Sequence, residues 1–187
     1  RPSSSRRSTP STARQPRRRA TMFARFQISS VSVGKLEIGF ASAPAASAAG
    51  IVSGQAAPTN APISRYAFLL SNPADSTSQV YIVGRDAPSI GVATAVTPGV
   101  TLKAAAASLP SDNSVLEAAG NTVMVALNEQ SEVSVYINGQ RVDTRITSGP
   151  NAGYPLGIWF HVGSNANTRA PVTAIDFIQA WQERIPL

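Results

Sequence analysis

Between Met22 and Trp181 the apolar residues return at every second position, and a chain with that period folds into sheets rather than helices. Leu36, Ile38 and Phe40 alternate with Lys35, Glu37 and Gly39. Val123, Val125 and Leu127 follow the same rule, as do Val133, Val135 and Ile137 around Ser134 and Tyr136. Strands are also expected over Phe23 to Ile28, Ser64 to Leu70, Gln79 to Val83 and, more weakly, Ile90 to Val96. Near the C-terminus Leu156, Ile158, Phe160 and Val162 alternate with Gly157, Trp159 and His161. In the last segment, Thr173 to Trp181, the residues Ile175, Phe177, Gln179 and Trp181 stand opposite Ala174, Asp176, Ile178 and Ala180. Both of its faces are apolar, which predicts burial on both sides or cover by a neighbour.

The breaks between these segments carry turn chemistry. Asn138-Gly139 is a hairpin signal, because a type I′ turn needs positive φ at both positions, and Gln140 to Ile146 is the expected return strand. Asn72-Pro73-Ala74-Asp75 forms a turn. Residues 41–62, with nine Ala, three Pro and two Gly, read as a long surface loop. Helix competes only within 102–119, where a turn or two is expected before Pro110 and before Gly120. Many short strands without a long helix make the chain all-β, an antiparallel sandwich.

Charge divides the chain in two. Residues 1–26 hold eight Arg and no acid, so within a formal +6 the remaining 161 residues carry a net −2. Residues 1–21 are accordingly an Arg/Ser/Pro-rich basic arm, of the disordered type because it has too little apolar surface to offset the entropy of ordering. Residues 22–187 are the sandwich. The arm has no apolar core of the secretory kind, and it lacks the apolar positions of an amphipathic transit helix. No run of apolar residues is long enough to span a bilayer, so no membrane partner is expected. Charged residues make up 14% of the whole, low against a typical quarter, which points to surface that meets other proteins.

The order Val133-Ser134-Val135-Tyr136-Ile137-Asn138-Gly139, then Gly157-Ile158-Trp159-Phe160-His161-Val162-Gly163, then Ala174-Ile175-Asp176-Phe177 resembles the concanavalin A-like, laminin-G-type jelly-roll domains of bacteriophage virion proteins. Phe26-Gln27-Ile28 and Leu36 to Phe40 look like the opening strands of that family, so the resemblance runs over 22–182. It implies a concanavalin-like jelly-roll β-sandwich in a virion, as a capsid decoration, shell or fibre subunit. Lectins and glycosidases share the family, so any site has to be argued from residues.

Those residues offer little chemistry. With no Cys there is no thiolate site, and with His161 alone there is no two-imidazole site and no Ser-His-Asp triad to build. Glu129 and Glu132 lie three apart across a turn and do not share a strand face, so they read as solvated charges rather than a glycosidase pair. Asp75, Asp86, Asp112, Asp143 and Asp176 are scattered, which predicts neither metal nor other cofactor. Asp176 is expected to hydrogen-bond a neighbouring loop, and Trp181 to pack. Trp159 and His161 share a strand face and are the candidate glycan or interface contact.

Arg6, Arg7, Arg14, Arg17, Arg18 and Arg19 are the candidate partner-binding residues of the arm. They tether the sandwich to an acidic groove of other virion proteins or of copies of itself, or they neutralise packaged nucleic acid without base reading, since no aromatic interleaves them. The expectation is a non-enzymatic virion structural protein. The alternatives are a carbohydrate-binding module that engages a host-surface glycan, and a coat protein whose arm packages nucleic acid.

Overall fold

The alternating segments pair into two antiparallel sheets stacked as a sandwich. In the computed structural model, residues 18–28, 34–42, 50–51, 63, 65–71, 80–86, 92–95, 102, 120–142, 149–150, 154–164 and 173–184 are described. They form β1 (Arg18–Ile28), β2 (Gly34–Ala41), β3 (Tyr66–Ser71), β4 (Val80–Arg85) and β5 (Val92–Ala95). The later strands are β6 (Asn121–Leu127), β7 (Val133–Ile137), β8 (Gln140–Arg141), β9 (Gly157–Ser164) and β10 (Thr173–Arg184). The first sheet has the order β10-β1-β6-β7-β8 and the second β5-β4-β3-β2-β9. The first two strands pair with the last two, β1 with β10 and β2 with β9, so the chain rolls up from both ends. That wrap is a jelly roll, the all-β fold expected from the sequence.

Between the sheets lies one core. Met22, Ala24, Phe26, Val123, Val125, Leu127, Val133, Val135 and Ile137 from the first sheet meet Leu36, Ile38, Phe40, Leu69 and Ile82 from the second. The residues are those that period two places inward, and Phe26 meets Phe160 edge-on at 5.5 Å. A second buried cluster covers the opposite face of the second sheet: Ala41, Tyr66, Phe68, Leu70, Tyr81, Val83 and Trp159 pack with Ile51 and Ile63. The segment read as a surface loop thus supplies the buried Ile51, Ile63 follows just after it, and β3 is buried at all six positions. Gly39 is required beneath this cluster, because a Cβ there would come within 2.7 Å of Phe68 Cβ.

The hairpin forms where the turn chemistry puts it. Asn138 and Gly139 have φ of 52° and 78°, both positive as a type I′ turn requires. Asn138 also ties β6, since its Oδ1 accepts from Thr122 N at 2.9 Å. The return strand is shorter than expected, because β8 ends at Arg141 and residues 143–148 lie outside the described residues. The helical turns expected within 102–119 also lie outside them, save Leu102, which is buried in the main core.

Two boundaries differ from expectation. β1 begins at Arg18, so residues 18–21, read as arm, stand in strand, with Arg18 level with Arg184 and Arg19 with Glu183. Between β1 and β10 the register shifts at Arg25 and Phe26, which face Phe177 and Ile175, leaving Asp176 of β10 as an extra residue. The bulge turns Ile175 to the face opposite Phe177, where strict alternation had put both together.

Replacing Phe26 by Ala should cost about 3–5 kcal/mol, since it empties a fully buried site. A Cβ at Gly139 meets no atom within 4 Å, so Gly139→Ala should cost only the backbone strain, about 1–3 kcal/mol. Urea midpoints give both values, and a Gly139 variant weaker than the Phe26 variant would contradict this division of stability.

Candidate functional site

Glu37 is fully buried on the outward face of β2, where Lys35, Trp159 and the Ile51 backbone answer its charge. Lys35 Nζ lies 2.9 Å from Oε1. Trp159 donates its Nε1–H to Oε2 at 2.7 Å, and the Ile51 backbone N–H reaches both oxygens at 2.8 and 3.0 Å. Gly50, at φ 75°, is glycine for a steric reason, because a Cβ would lie 2.7 Å from Glu37 Oε1 and 2.8 Å from Lys35 Nζ. His161 stands directly opposite Glu37 on β9 and stacks on Trp159, centroids 5.9 Å apart and 13° from parallel. Its Nε2 is buried and makes no hydrogen bond. Burial holds the His161 imidazole below its ordinary value, against the pull of Glu37 and helped by Lys35. Across the same sheet burial pushes the Tyr66 phenol up to about 12, although Arg85 opposes it.

This geometry changes the meaning of the pair Trp159 and His161. They are together, as the shared strand face requires, but Trp159 is only 6% exposed and its polar edge is taken by Glu37. It offers no ring to a ligand in solution. The pair belongs to the buried lock between β2, β9 and residues 50–51.

The accessible aromatic groups lie on one side of the sandwich, along the edge strands β9 and β10. Tyr154, Ile158, Ile175, Phe177 and Trp181, the large apolar residues exposed among those described, are all here. On the outer face Phe177 stacks on Phe23 at 5.5 Å, and Asp176 pairs with Arg25 at 3.5 Å, on the adjacent strand rather than on a loop. Between the two sheets at this edge opens a cleft of about 390 Å³, lined by Phe40, Leu156, Ile158, Trp181, Gln182 and Tyr154 among others. Its volume is that of a small-ligand pocket, and such pockets combine apolar walls with a few polar groups.

The Tyr154 ring is fixed in place. The Arg65 guanidinium sits 3.6 Å over its centroid, and Asp86 holds that guanidinium through a 2.8 Å hydrogen bond from Nε. Tyr154 is still 43% exposed and Trp181 44%. The sequence reading passed over Tyr154 and took Trp181 as packing. The available signal was the apolar character of both faces of β10, of which the fold leaves Ile175, Phe177 and Trp181 exposed while Ile178 packs against the core.

Of the arm residues, Arg19 is exposed on β1 and Arg18 stands at its first position, while Arg6, Arg7, Arg14 and Arg17 lie outside the described residues. Ala20, two positions on, lines the cleft, so the basic segment enters the fold beside it. Glu132 takes a 2.6 Å hydrogen bond from Asn128 Nδ2 within the β6–β7 turn. Among the described residues no group of three His, Asp or Glu comes together as a metal centre would need.

No family model and no curated protein matches the chain. Among solved structures it is similar to alginate lyase A1-II', a member of polysaccharide lyase family-7, with TM-score 0.47 and 13% identity over 89% of this chain and 63% of the lyase chain. The chain therefore spans less than two thirds of that enzyme. It is also similar to the carbohydrate recognition domain of Emp47p, with TM-score 0.41 and 12% identity over 87% of this chain and 71% of that one. The jelly roll implied by the family resemblance is the fold observed; the bacteriophage setting has no counterpart in either protein. The first of the two is an enzyme, so the fold gives no ground for the expectation of a non-enzymatic chain, which is withdrawn.

Glu37→Gln removes the anion from Lys35 in a buried site and should lower stability by about 3–5 kcal/mol. His161 binds its proton more readily in the unfolded chain than in the folded one. Its contribution is therefore present above about pH 6.5 and is lost as pH falls below it. Urea midpoints measured on acidification should fall less steeply for His161→Gln than for the wild type, and equal slopes would contradict the assignment.

Proposed function

We propose that the protein is a carbohydrate-binding module whose ligand lies in the cleft between β9 and β10. The observation that carries this reading is the pair of half-exposed aromatic residues, Tyr154 and Trp181, that line a cleft together with Gln182. Aromatic rings offer flat apolar faces with polar groups at their edges, which suits the mixed surface of a pyranose. The Arg65–Asp86 clamp supports the reading, because a ring already held in its binding position loses little freedom on binding. The site differs from the Trp159 and His161 pair considered from sequence, in which Trp159 is buried and His161 half-buried.

The charge of the chain narrows the ligand. Residues 1–17 carry five Arg and no acid, and they lead into β1 two residues ahead of Ala20 in the cleft wall. The exposed Arg19 and the cationic sequence that precedes it favour an acidic polysaccharide over a neutral one, with affinity that weakens as salt rises. Both solved structures named above concern carbohydrate in their descriptions; at their level of similarity they add no weight. The virion role expected from sequence has no observation in its favour and is not retained.

A panel of neutral and acidic polysaccharides tested by affinity electrophoresis should show binding to at least one acidic polymer. Trp181→Ala and Tyr154→Ala should each weaken it at least about tenfold, equivalent to 1.4 kcal/mol. Chromatography of the same mixtures separates binding from chain cleavage. Absence of any polysaccharide ligand, or unchanged affinity in both variants, would refute the proposal.

A further inference from the structure

Arg65 is fixed at both ends. Its backbone N–H donates to Ser42 Oγ at 3.2 Å, and its carbonyl accepts from Ser42 N at 2.8 Å. Its guanidinium lies with Cζ 3.6 Å from the centroid of the Tyr154 ring, and Nε donates to Asp86 Oδ1 at 2.8 Å. The other N–H groups of the guanidinium, on Nη1 and Nη2, meet no acceptor among the described residues. They are open to solvent, since the side chain is 23% exposed and neither nitrogen is a buried atom without a partner. A clamp for Tyr154 needs only the stack and the Asp86 bond. The spare donors are the part of Arg65 that the fold does not use.

We propose that Arg65 determines the specificity of the cleft: Nη1 and Nη2 hydrogen-bond the carboxylate of a uronate unit next to the one held at Tyr154 and Trp181. The inference rests on the carbohydrate reading of the cleft and adds which acidic group is read, and by what. A polysaccharide is longer than a cleft of about 390 Å³, so its neighbouring units run over the flanking surface. Tyr154 is in the cleft wall, and Arg65 lies against the face of the same ring. A carboxylate offers two oxygens in one plane, which matches the paired Nη groups of an arginine. Stacking and Asp86 have already set the guanidinium plane, so little side-chain freedom is lost on binding. Asp86 also cancels the charge of Arg65 at long range. The pair therefore does not draw anions in general; it discriminates at contact, through donor geometry. Arg19 and the sequence before it act in the opposite way, as cations whose pull salt screens.

Affinity electrophoresis of the full chain with polygalacturonate, alginate and hyaluronate, each beside its carboxyl-reduced form, tests the inference. The wild type should prefer at least one acidic polymer over its reduced form by about tenfold or more. That preference should persist at about 0.5 M salt, where the Debye length is on the order of 4 Å. In Arg65→Gln and Arg65→Met it should fall below about twofold, while binding of the reduced form stays within about twofold of wild type. Both variants keep an unbranched stem against the Tyr154 ring, and circular dichroism should show both folded. Arg19→Gln, the control, should weaken binding in dilute buffer and leave the preference at high salt intact. Equal affinity of the wild type for both forms would overturn the inference. So would Arg65 variants that weaken both forms alike, which would make Arg65 a positioning residue for Tyr154. A loss of equal size on dextran sulfate would overturn it in favour of unselective anion contact. In each of these results Trp181→Ala still weakens binding if the cleft reading stands. Binding that survives Trp181→Ala unchanged, or no binding to any polymer, would remove both.

Discussion

A buried carboxylate organises this molecule. Glu37 has no exposed surface, and an ion in that position is tolerated only if hydrogen bonds and a counter-charge replace the water it has lost. Its replacements come from three separate parts of the chain: Lys35 two residues away, the backbone at Ile51, and the indole of Trp159. Satisfying Glu37 therefore brings residues 50–51 onto the second sheet and fixes β9 against β2. Once Ile51 and Ile63 lie there, Tyr66, Phe68 and Leu70 on the outward face of β3 become interior. The sheet is covered on both sides, and the site proposed for recognition lies on the flank of the sandwich instead of its face.

That displacement explains which parts of the sequence were legible. Period two reports which side of a strand a residue occupies, and for Leu36, Ile38, Phe40 and the β6 and β7 valines that was enough. It does not report what lies against that side. Trp159 and His161 were correctly paired on one face, yet the cover supplied by Ile51 from an Ala- and Pro-rich segment turned a promising platform into interior. Glu37 attracted no notice because one acid between Leu36 and Ile38 looks like an ordinary solvent-facing residue. Alternation is also blind to a bulge: a single extra residue, Asp176, reverses Ile175 relative to Phe177. The Asn138-Gly139 turn needed no such context, since its conformation is a local demand of two residues.

The flank is assembled from distant pieces as well. Tyr154 just ahead of β9, Arg65 at the start of β3 and Asp86 after β4 form one stack of ring, guanidinium and carboxylate. Each is ordinary in the linear chain, and none belongs to a recognisable motif. Their contact depends on β3 and β4 lying side by side in register, with Tyr66 opposite Arg85. The site is thus a product of topology, which is why a residue-by-residue search of the sequence gave it no priority.

The unequal edges also govern how far association can go. A sheet that grows into a fibre needs two adhesive margins, so that each newcomer leaves another place free. Here one margin is tapered and the other is long. Growth by edge pairing meets a margin of two or four residues on that side and goes no further.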